Sequence, residues 1–316
     1  MREASKLAYV FSPQGSQTPG MGKDLHDNVG VCKQTFESAN DALGFDLTSI
    51  CFNGPDEDLR NTEIAQPALL TVSTAALRAL QSEGFAPSVV AGHSVGEYAA
   101  LVAAGALAFE DAVRLVRRRG QLMSEAGAES DGAMAAIIGL TGDDVKKIVA
   151  DAAGNDVLDV ANYNSPEQTV ISGERAAVER ARELAKERGA KRALPLNVSG
   201  AFHSRLMAPA AAKMETELAK VQIHAPEIPI VANATAEYVT SPDEIRRALV
   251  EQLAGSVRWV ESVKKMVSAG CGVFVEAGVG QALAGMVRRI DGEVEAFAVS
   301  DCASLKSFVE SVGQKV

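Results

Sequence analysis

The chain is short of cysteine and histidine, has no long apolar run and carries no excess of positive charge, and each shortage removes a class of protein. Its four cysteines, Cys32, Cys51, Cys271 and Cys302, lie far apart, with no C-x-x-C pair and no histidine at ligand spacing. Neither a zinc site nor a disulfide framework is indicated, and the thiols read as buried side chains in a reducing cytosol. No segment approaches the roughly 18 apolar residues needed to span a bilayer. Near the N-terminus only Leu7 to Phe11 form an apolar run before Ser12 and Pro13, too short for a signal peptide. The expectation is a soluble, cytoplasmic protein with no membrane segment. A net charge of −10 argues against nucleic acid as the main partner. No internal repeat or low-complexity tract is visible. At 316 residues, 47% of them hydrophobic, the chain can bury a substantial core in one large domain or two smaller ones.

What is present is organised around Gly92-His93-Ser94-Val95-Gly96, which follows the short apolar run 88–91 and opens a helical pattern over 97–104. Strand, tight turn with glycine two residues either side of serine, then helix make a G-x-S-x-G nucleophile elbow. Ser94 then stands at a helix N-terminus, where free N–H groups and the helix dipole stabilise an oxyanion. A Gly-rich turn before a helix also arises from packing alone, so the motif by itself leaves both readings open. His93 is adjacent to Ser94 and points away from it on a turn, which suits a structural histidine.

Leu7 to Phe11 reads as a buried strand running into Ser12-Pro13-Gln14-Gly15-Ser16-Gln17. Gly22-Lys23 is not a P-loop, because Gln17 occupies the position of a required glycine and Asp24 that of the metal-binding hydroxyl. Helices are expected over 24–43 and over 65–83, the second with Pro67 in its first turn. A further helix over 110–125 carries the apolar stripe Ala112, Leu115, Val116, Leu122 and Met123, and Arg119 falls on that same face. A buried arginine needs an anionic partner, either a ligand or a structural Glu or Asp. Arg114, Arg117 and Arg118 project elsewhere as a basic face.

From Asp131 the pattern becomes strand 132–140, helix 143–153, strands 157–161 and 168–172, helix 174–188 and strand 190–196. That order is the β-α-β-β-α-β ferredoxin-like unit. It reads as an insertion, because α/β alternation resumes with strands 228–232, 273–276 and 296–299. Helices over 242–254, 256–269 and 279–290 lie between the last strands. Ser241-Pro242-Asp243-Glu244 supplies a capping box with proline at the first helical position. The domain expectation is therefore 1–130 with 198–316 as one discontinuous unit and 131–197 as the insert, connected near 127–132 and 197–200. Only four histidines exist. His26 opens a polar helix and His224 lies in a loop before Ala-Pro, so His203, in a Gly-containing turn before a helix, is the best candidate base for Ser94. Its own context admits a structural role equally.

Gln14-Gly15-Ser16-Gln17, Gly92 to Glu97, Arg119-Gly120, Asn164-Ser165-Pro166 and Ala201-Phe202-His203 together resemble, in order and spacing, the malonyl-CoA:acyl carrier protein transacylases. The resemblance covers essentially the whole chain. It implies an α/β-hydrolase-like large domain with an inserted ferredoxin-like small domain and an active site in the cleft between them. Ser94 then corresponds to the nucleophile, His203 to its base and Arg119 to the group that grips the malonyl carboxylate. The backbone N–H groups of Gln14 and Val95 would form the oxyanion hole, and the main-chain carbonyl of Gln252 would orient the histidine. Phe202 in A-F-H accompanies malonyl rather than methylmalonyl preference. The implied activity is ping-pong transfer of malonyl from malonyl-CoA to holo-acyl carrier protein for fatty-acid synthesis. A discrete acyltransferase of a polyketide pathway is the alternative, with a serine esterase or thioesterase behind it. No metal or prosthetic cofactor is implied, coenzyme A being the carrier on the donor substrate, and the expected state is a monomer. The family's F-P-G-Q-G-S-Q is here Phe11-Ser12-Pro13-Gln14-Gly15-Ser16-Gln17, which shifts the proline but keeps the Gln14 N–H. An acidic carrier protein would need a local basic surface, with Lys186, Arg188, Lys191, Arg192, Arg117 and Arg118 as candidates.

Overall fold

Strand β1 (Lys6–Phe11) is buried along both faces, as a central parallel strand must be. Alternation sends Leu7, Tyr9 and Phe11 into one core and Ala8 and Val10 into another on the opposite side of the sheet. The computed structural model describes residues 6–312. In it β1 lies at the middle of a six-stranded sheet with β2 (Val89–Gly92), β7 (Ile230–Val231), β8 (Tyr238–Val239), β9 (Cys271–Ala277) and β10 (Glu295–Val299), in the order β10-β9-β1-β2-β7-β8. All neighbours are parallel except β8, which caps the edge antiparallel to β7.

The remaining strands, β3 (Gly132–Ile138), β4 (Leu158–Ser165), β5 (Gln168–Glu174) and β6 (Arg192–Pro195), form a separate antiparallel sheet ordered β4-β5-β3-β6. Helices Gly142–Ala153 and Arg175–Glu187 complete the β-α-β-β-α-β unit expected from the sequence. The chain enters and leaves this unit backbone against backbone. A Cβ on Gly127 would meet the Ser199 carbonyl oxygen at 2.5 Å, and one on Gly200 would meet the Gly127 Cα at 2.9 Å, so only glycine allows that approach. The unit is also hydrogen-bonded to the larger one, because Val257 donates to the Ala161 carbonyl at 2.8 Å and accepts from the Tyr163 N–H at 2.9 Å. The fold is thus α/β-hydrolase-like with a ferredoxin-like insert. Among the described residues no helix is long and apolar enough to cross a membrane.

Several helices depart from the sequence expectation. The span 24–43 is two helices, Lys23–Asn28 and Gly30–Leu43, because Val29 adopts an extended backbone (φ −123°, ψ 111°). Its β-branched side chain favours that conformation, and Gly30 after it is a weak helix former. The helix expected to begin near 65 runs Thr62–Ser82, so Pro67 lies inside it and not in its first turn. The Asn61 side chain caps it by accepting from the Glu63 N–H at 3.2 Å, and burial of the helix along most of its length offsets the amide hydrogen bond that Pro67 cannot make. Helices Leu47–Asn53, Asp56–Arg60 and Cys302–Val312 have no counterpart in the sequence reading, and Ala208–Leu218 is the helix expected after His203. The second and third expected helices of the C-terminal region start at Trp259 and Ala282, each three residues later than the expected 256 and 279. The Ser241 capping box with Pro242 behind it is present as expected.

Gly96 sits where the elbow helix crosses β1, and a Cβ there would lie 2.2 Å from the Phe11 carbonyl oxygen. Gly96→Ala is expected to cost about 3 kcal/mol or more of stability, read as a lower urea midpoint with unchanged slope. An unaltered midpoint would mean that β1 and this helix are not held in contact.

Candidate active site

Register places the two site loops side by side. Phe11 pairs with Gly92 at the C-terminal ends of β1 and β2, and the His93 N–H donates to the Phe11 carbonyl at 3.1 Å. The segments Ser12 to Gln14 and His93 to Val95 therefore leave the sheet together, at the carboxyl ends of neighbouring parallel strands, where open α/β sheets build their sites. Ser94 has φ 54°, a left-handed conformation that costs energy for any side chain but glycine. The turn is held closed from outside: the Ser94 N–H donates to Asn233 Oδ1 at 2.7 Å, and Asn233 Nδ2 donates to the Gly92 carbonyl at 2.6 Å. Gly92 has no room for a Cβ either, which would fall 1.9 Å from the Gly96 carbonyl carbon.

His203 also has a left-handed backbone (φ 56°), and this turn aims its ring at the elbow. Its Nε2 lies 2.7 Å from Ser94 Oγ, and its Nδ1 lies 2.8 Å from the Gln252 carbonyl oxygen. A carbonyl only accepts, so Nδ1 carries the proton and Nε2 is the acceptor facing the serine hydroxyl. Burial, reinforced by the Arg119 charge, pushes the His203 pKa down to about 3. The ring is therefore a neutral base at rest.

Arg119 is 1% exposed on helix Phe109–Ala128. Its Nη1 donates to Gln66 Oε1 at 2.9 Å, and its Nη2 donates to Gln252 Oε1 at 2.8 Å and to Ser94 Oγ at 3.2 Å. The Nε has no partner among the described residues. The structural reading, in which a Glu or Asp grips this arginine, does not hold: every hydrogen-bonded partner is neutral. The guanidinium thus lies beside the serine oxygen with no carboxylate in hydrogen-bond contact.

A cavity of about 400 Å³ opens onto Ser94 and His203, lined from the large unit by Gln14 and Phe202 and from the insert by Met134 and Asn162. The backbone N–H groups of Gln14 and Val95 are free of hydrogen bonds among the described residues. The Val95 side chain is 1% exposed and packs in the core, so only its backbone can serve the site. The shifted proline leaves Ser12 Oγ donating to buried Glu276 Oε1 at 3.1 Å, which ties the loop carrying Gln14 to β9. His93, as expected, is structural: Nε2 pairs with Asn164 Oδ1 at 2.8 Å and the ring packs 5.6 Å from that of Trp259.

Sequence reasoning missed Gln66, Asn233, Glu97 and the side chain of Gln252. Glu97 was discoverable as a carboxylate directly after the elbow, on a helix whose next residues are all apolar. Asn233 and Gln66 are neutral amides with no distinguishing local pattern. The basic residues expected to greet an acidic partner are largely engaged. Lys186, Arg188, Lys191 and Arg118 pair with Glu183, Asp151, Glu167 and Glu125, and Arg117 lies over the Phe45 ring. Among the described residues, no group of three His, Cys, Asp or Glu side chains could hold a metal ion.

An α/β-hydrolase-like sheet with a serine–histidine pair in a two-unit cleft defines an acyl-transfer protein, and the acyl transferase domain family matches residues 8–304. The malonyl CoA-acyl carrier protein transacylase of Bacillus subtilis is 44% identical over 313 residues, covering 98% of each chain. An acyl carrier protein S-malonyltransferase structure from Vibrio cholerae is 47% identical, with TM-score 0.94 over 96% of this chain and 99% of that one. A malonyl-transacylase solved with a holo type II polyketide-synthase carrier protein is 45% identical, with TM-score 0.94 over 97% and 100%. The chain belongs to the malonyl-CoA:acyl carrier protein transacylase family.

The His203 environment has a direct spectroscopic consequence. Its ring is expected to show no NMR titration between about pH 8 and pH 5, where an ordinary histidine titrates near 6.5. Arg119→Gln removes a nearby positive charge and should move the His203 pKa upward. A wild-type ring that titrates near 6.5 would place His203 in solvent and remove it from this site.

Proposed function

We propose that the chain transfers malonyl from malonyl-CoA to the phosphopantetheine thiol of holo-acyl carrier protein, through a malonyl-serine, in fatty-acid synthesis. The observation that carries this reading is the convergence of two groups on one atom. Ser94 Oγ lies 2.7 Å from the neutral His203 Nε2 and 3.2 Å from the Arg119 guanidinium. An esterase needs the first contact and has no use for the second.

In the proposed cycle His203 Nε2 takes the hydroxyl proton as Ser94 Oγ attacks the thioester carbonyl. The N–H groups of Gln14 and Val95 receive the oxyanion, and Arg119 pairs with the malonyl carboxylate. Collapse of the tetrahedral adduct breaks the C–S bond, and the His203 proton leaves with coenzyme A as its thiol. The carrier-protein thiol then attacks the malonyl-serine, gives its proton to His203, and Ser94 is released with that proton. The Gln252 carbonyl keeps the ring in the required tautomer throughout. No cofactor enters these steps.

We assign 131–197 as the insert and 1–130 with 198–316 as the catalytic unit, in a cytoplasmic monomer. A discrete acyltransferase of a polyketide pathway is the second reading, favoured by the 45% identical relative solved with a polyketide-synthase carrier protein. The carrier protein that accepts malonyl fastest decides between the two.

Brief exposure to malonyl-CoA should add one malonyl group to the intact protein, located at Ser94 by peptide mass spectrometry and absent in Ser94→Ala. An adduct elsewhere, or undiminished transfer by Ser94→Ala, overturns the assignment. Donor selectivity should divide between two residues. Arg119→Lys loses the planar fork and should cost malonyl acylation about 2 to 4 kcal/mol while sparing acetyl. Phe202→Ser opens the cavity wall and should narrow the malonyl preference over methylmalonyl, which close packing sets at roughly 1 to 3 kcal/mol. Equal losses with all donors would make both residues structural.

A further inference from the structure

Glu97 is 2% exposed in the first turn of the elbow helix Gly96–Ala103, three residues beyond Ser94. No step of the proposed cycle uses it. Its Oε2 accepts from Gln252 Nε2 at 2.6 Å and from the Asn233 N–H at 3.2 Å. Gln252, itself fully buried on helix Pro242–Ala254, is shared among four groups. Its Oε1 accepts from Arg119, its Nε2 donates to Glu97 and to the Ser94 carbonyl, and its main-chain oxygen accepts from His203.

A primary amide is nearly symmetric in shape, and its two ends differ only in whether they donate or accept. Here the two ends face opposite chemistries: a guanidinium that only donates and a carboxyl oxygen, Glu97 Oε2, that accepts; burial raises the Glu97 pKa to about 7, and a proton carried on Oε1 leaves that acceptor in place. Turning the amide over would set its NH₂ against Arg119 and its oxygen against Glu97, and both contacts would become repulsive. With Glu97 removed, the Nε2 end loses its carboxyl partner and keeps only the Ser94 carbonyl at 3.0 Å. The amide, and with it the Arg119 fork, then gains freedom to move.

We propose that Glu97 is a positioning residue for donor selectivity: it locks the Gln252 amide in the one orientation that holds Arg119 beside Ser94. This rests on the reading of Arg119 as the malonate-binding group. The carboxylate also grips the backbone of Asn233, whose side chain closes the Ser94 turn, so one group spans the nucleophile and the anion-binding arginine. Both hydrogen bonds fall on a single oxygen. A glutamine at this position can therefore reproduce them without the charge, whereas aspartate keeps the charge and pulls it back by one methylene.

The test is the ratio of malonyl to acetyl acylation rates, measured by intact mass after rapid quenching, in wild type, Arg119→Lys, Glu97→Ala, Glu97→Asp and Glu97→Gln. Loss of the hydrogen bond that fixes the amide should lower the ratio by about tenfold or more in Glu97→Ala and Glu97→Asp. Glu97→Gln should restore it to within about threefold of wild type. If Glu97→Ala does not fold, Glu97→Asp carries the test alone. Malonyl and acetyl rates falling together in the Glu97 variants would overturn the proposal, because general damage to the elbow slows both donors alike. A Glu97→Gln ratio as low as that of Glu97→Ala would overturn it too, because charge and not amide orientation would then be at work. An Arg119→Lys ratio equal to wild type would instead defeat the underlying reading of Arg119, which keeps the two failures distinct.

Discussion

A guanidinium is held at 1% exposure with only neutral hydrogen-bond acceptors, and much of the site is arranged around it. Desolvating a cation without a carboxylate in contact leaves several kcal/mol uncompensated unless dipoles replace the water. Gln66, Gln252, the Ser94 hydroxyl and the face of the Tyr98 ring, 5.7 Å away, are those replacements. Each is weaker than an ion pair, and the buried Glu97 carboxyl acts on Arg119 only through space, with no hydrogen bond between them. The Arg119 charge also acts on His203, where it adds to burial in disfavouring the imidazolium. The buried cation and the neutral imidazole beside it are thus electrostatically coupled.

Rigidity comes from the sheet. Parallel pairing of β1 with β2 decides that the Gln14 loop and the Ser94 turn leave at one height, and glycine at 92 and 96 lets the helix sit directly against both strands. The strained φ angles at Ser94 and His203 are tolerated because partners from distant segments, Asn233 and Gln252, hold each turn. Glu276 does the same for the loop before Gln14, through the Ser12 hydroxyl. The insert supplies the far wall of the cavity and is fastened by the Ala161–Val257 and Tyr163–Val257 hydrogen bonds, so the cleft has two covalently continuous but separately folded sides.

The sequence by itself determined whatever depends on local order. A short, wholly apolar run marked β1, the insert's strand–helix rhythm marked the ferredoxin-like unit, and the S-x-x-E box at Ser241 marked the start of its helix. Glycine spacing around Ser94 and the position of Arg119 on an apolar stripe were legible for the same reason, since period and steric need are written in neighbouring residues. Where burial carried a helix through a proline, as at Pro67, or one β-branched residue broke a helix at Val29, tertiary packing or a conflicting local signal moved the boundaries. Only the tertiary structure decided that Arg119 would meet amides and no carboxylate, that the His203 ring would reach Ser94, and that Gln252 would serve four partners at once. Those contacts join residues up to 158 positions apart. Gln66, Asn233 and Gln252 are uncharged, and their neighbours in sequence say nothing of what they touch. Their roles arise from which buried donors and acceptors the packed fold leaves facing one another.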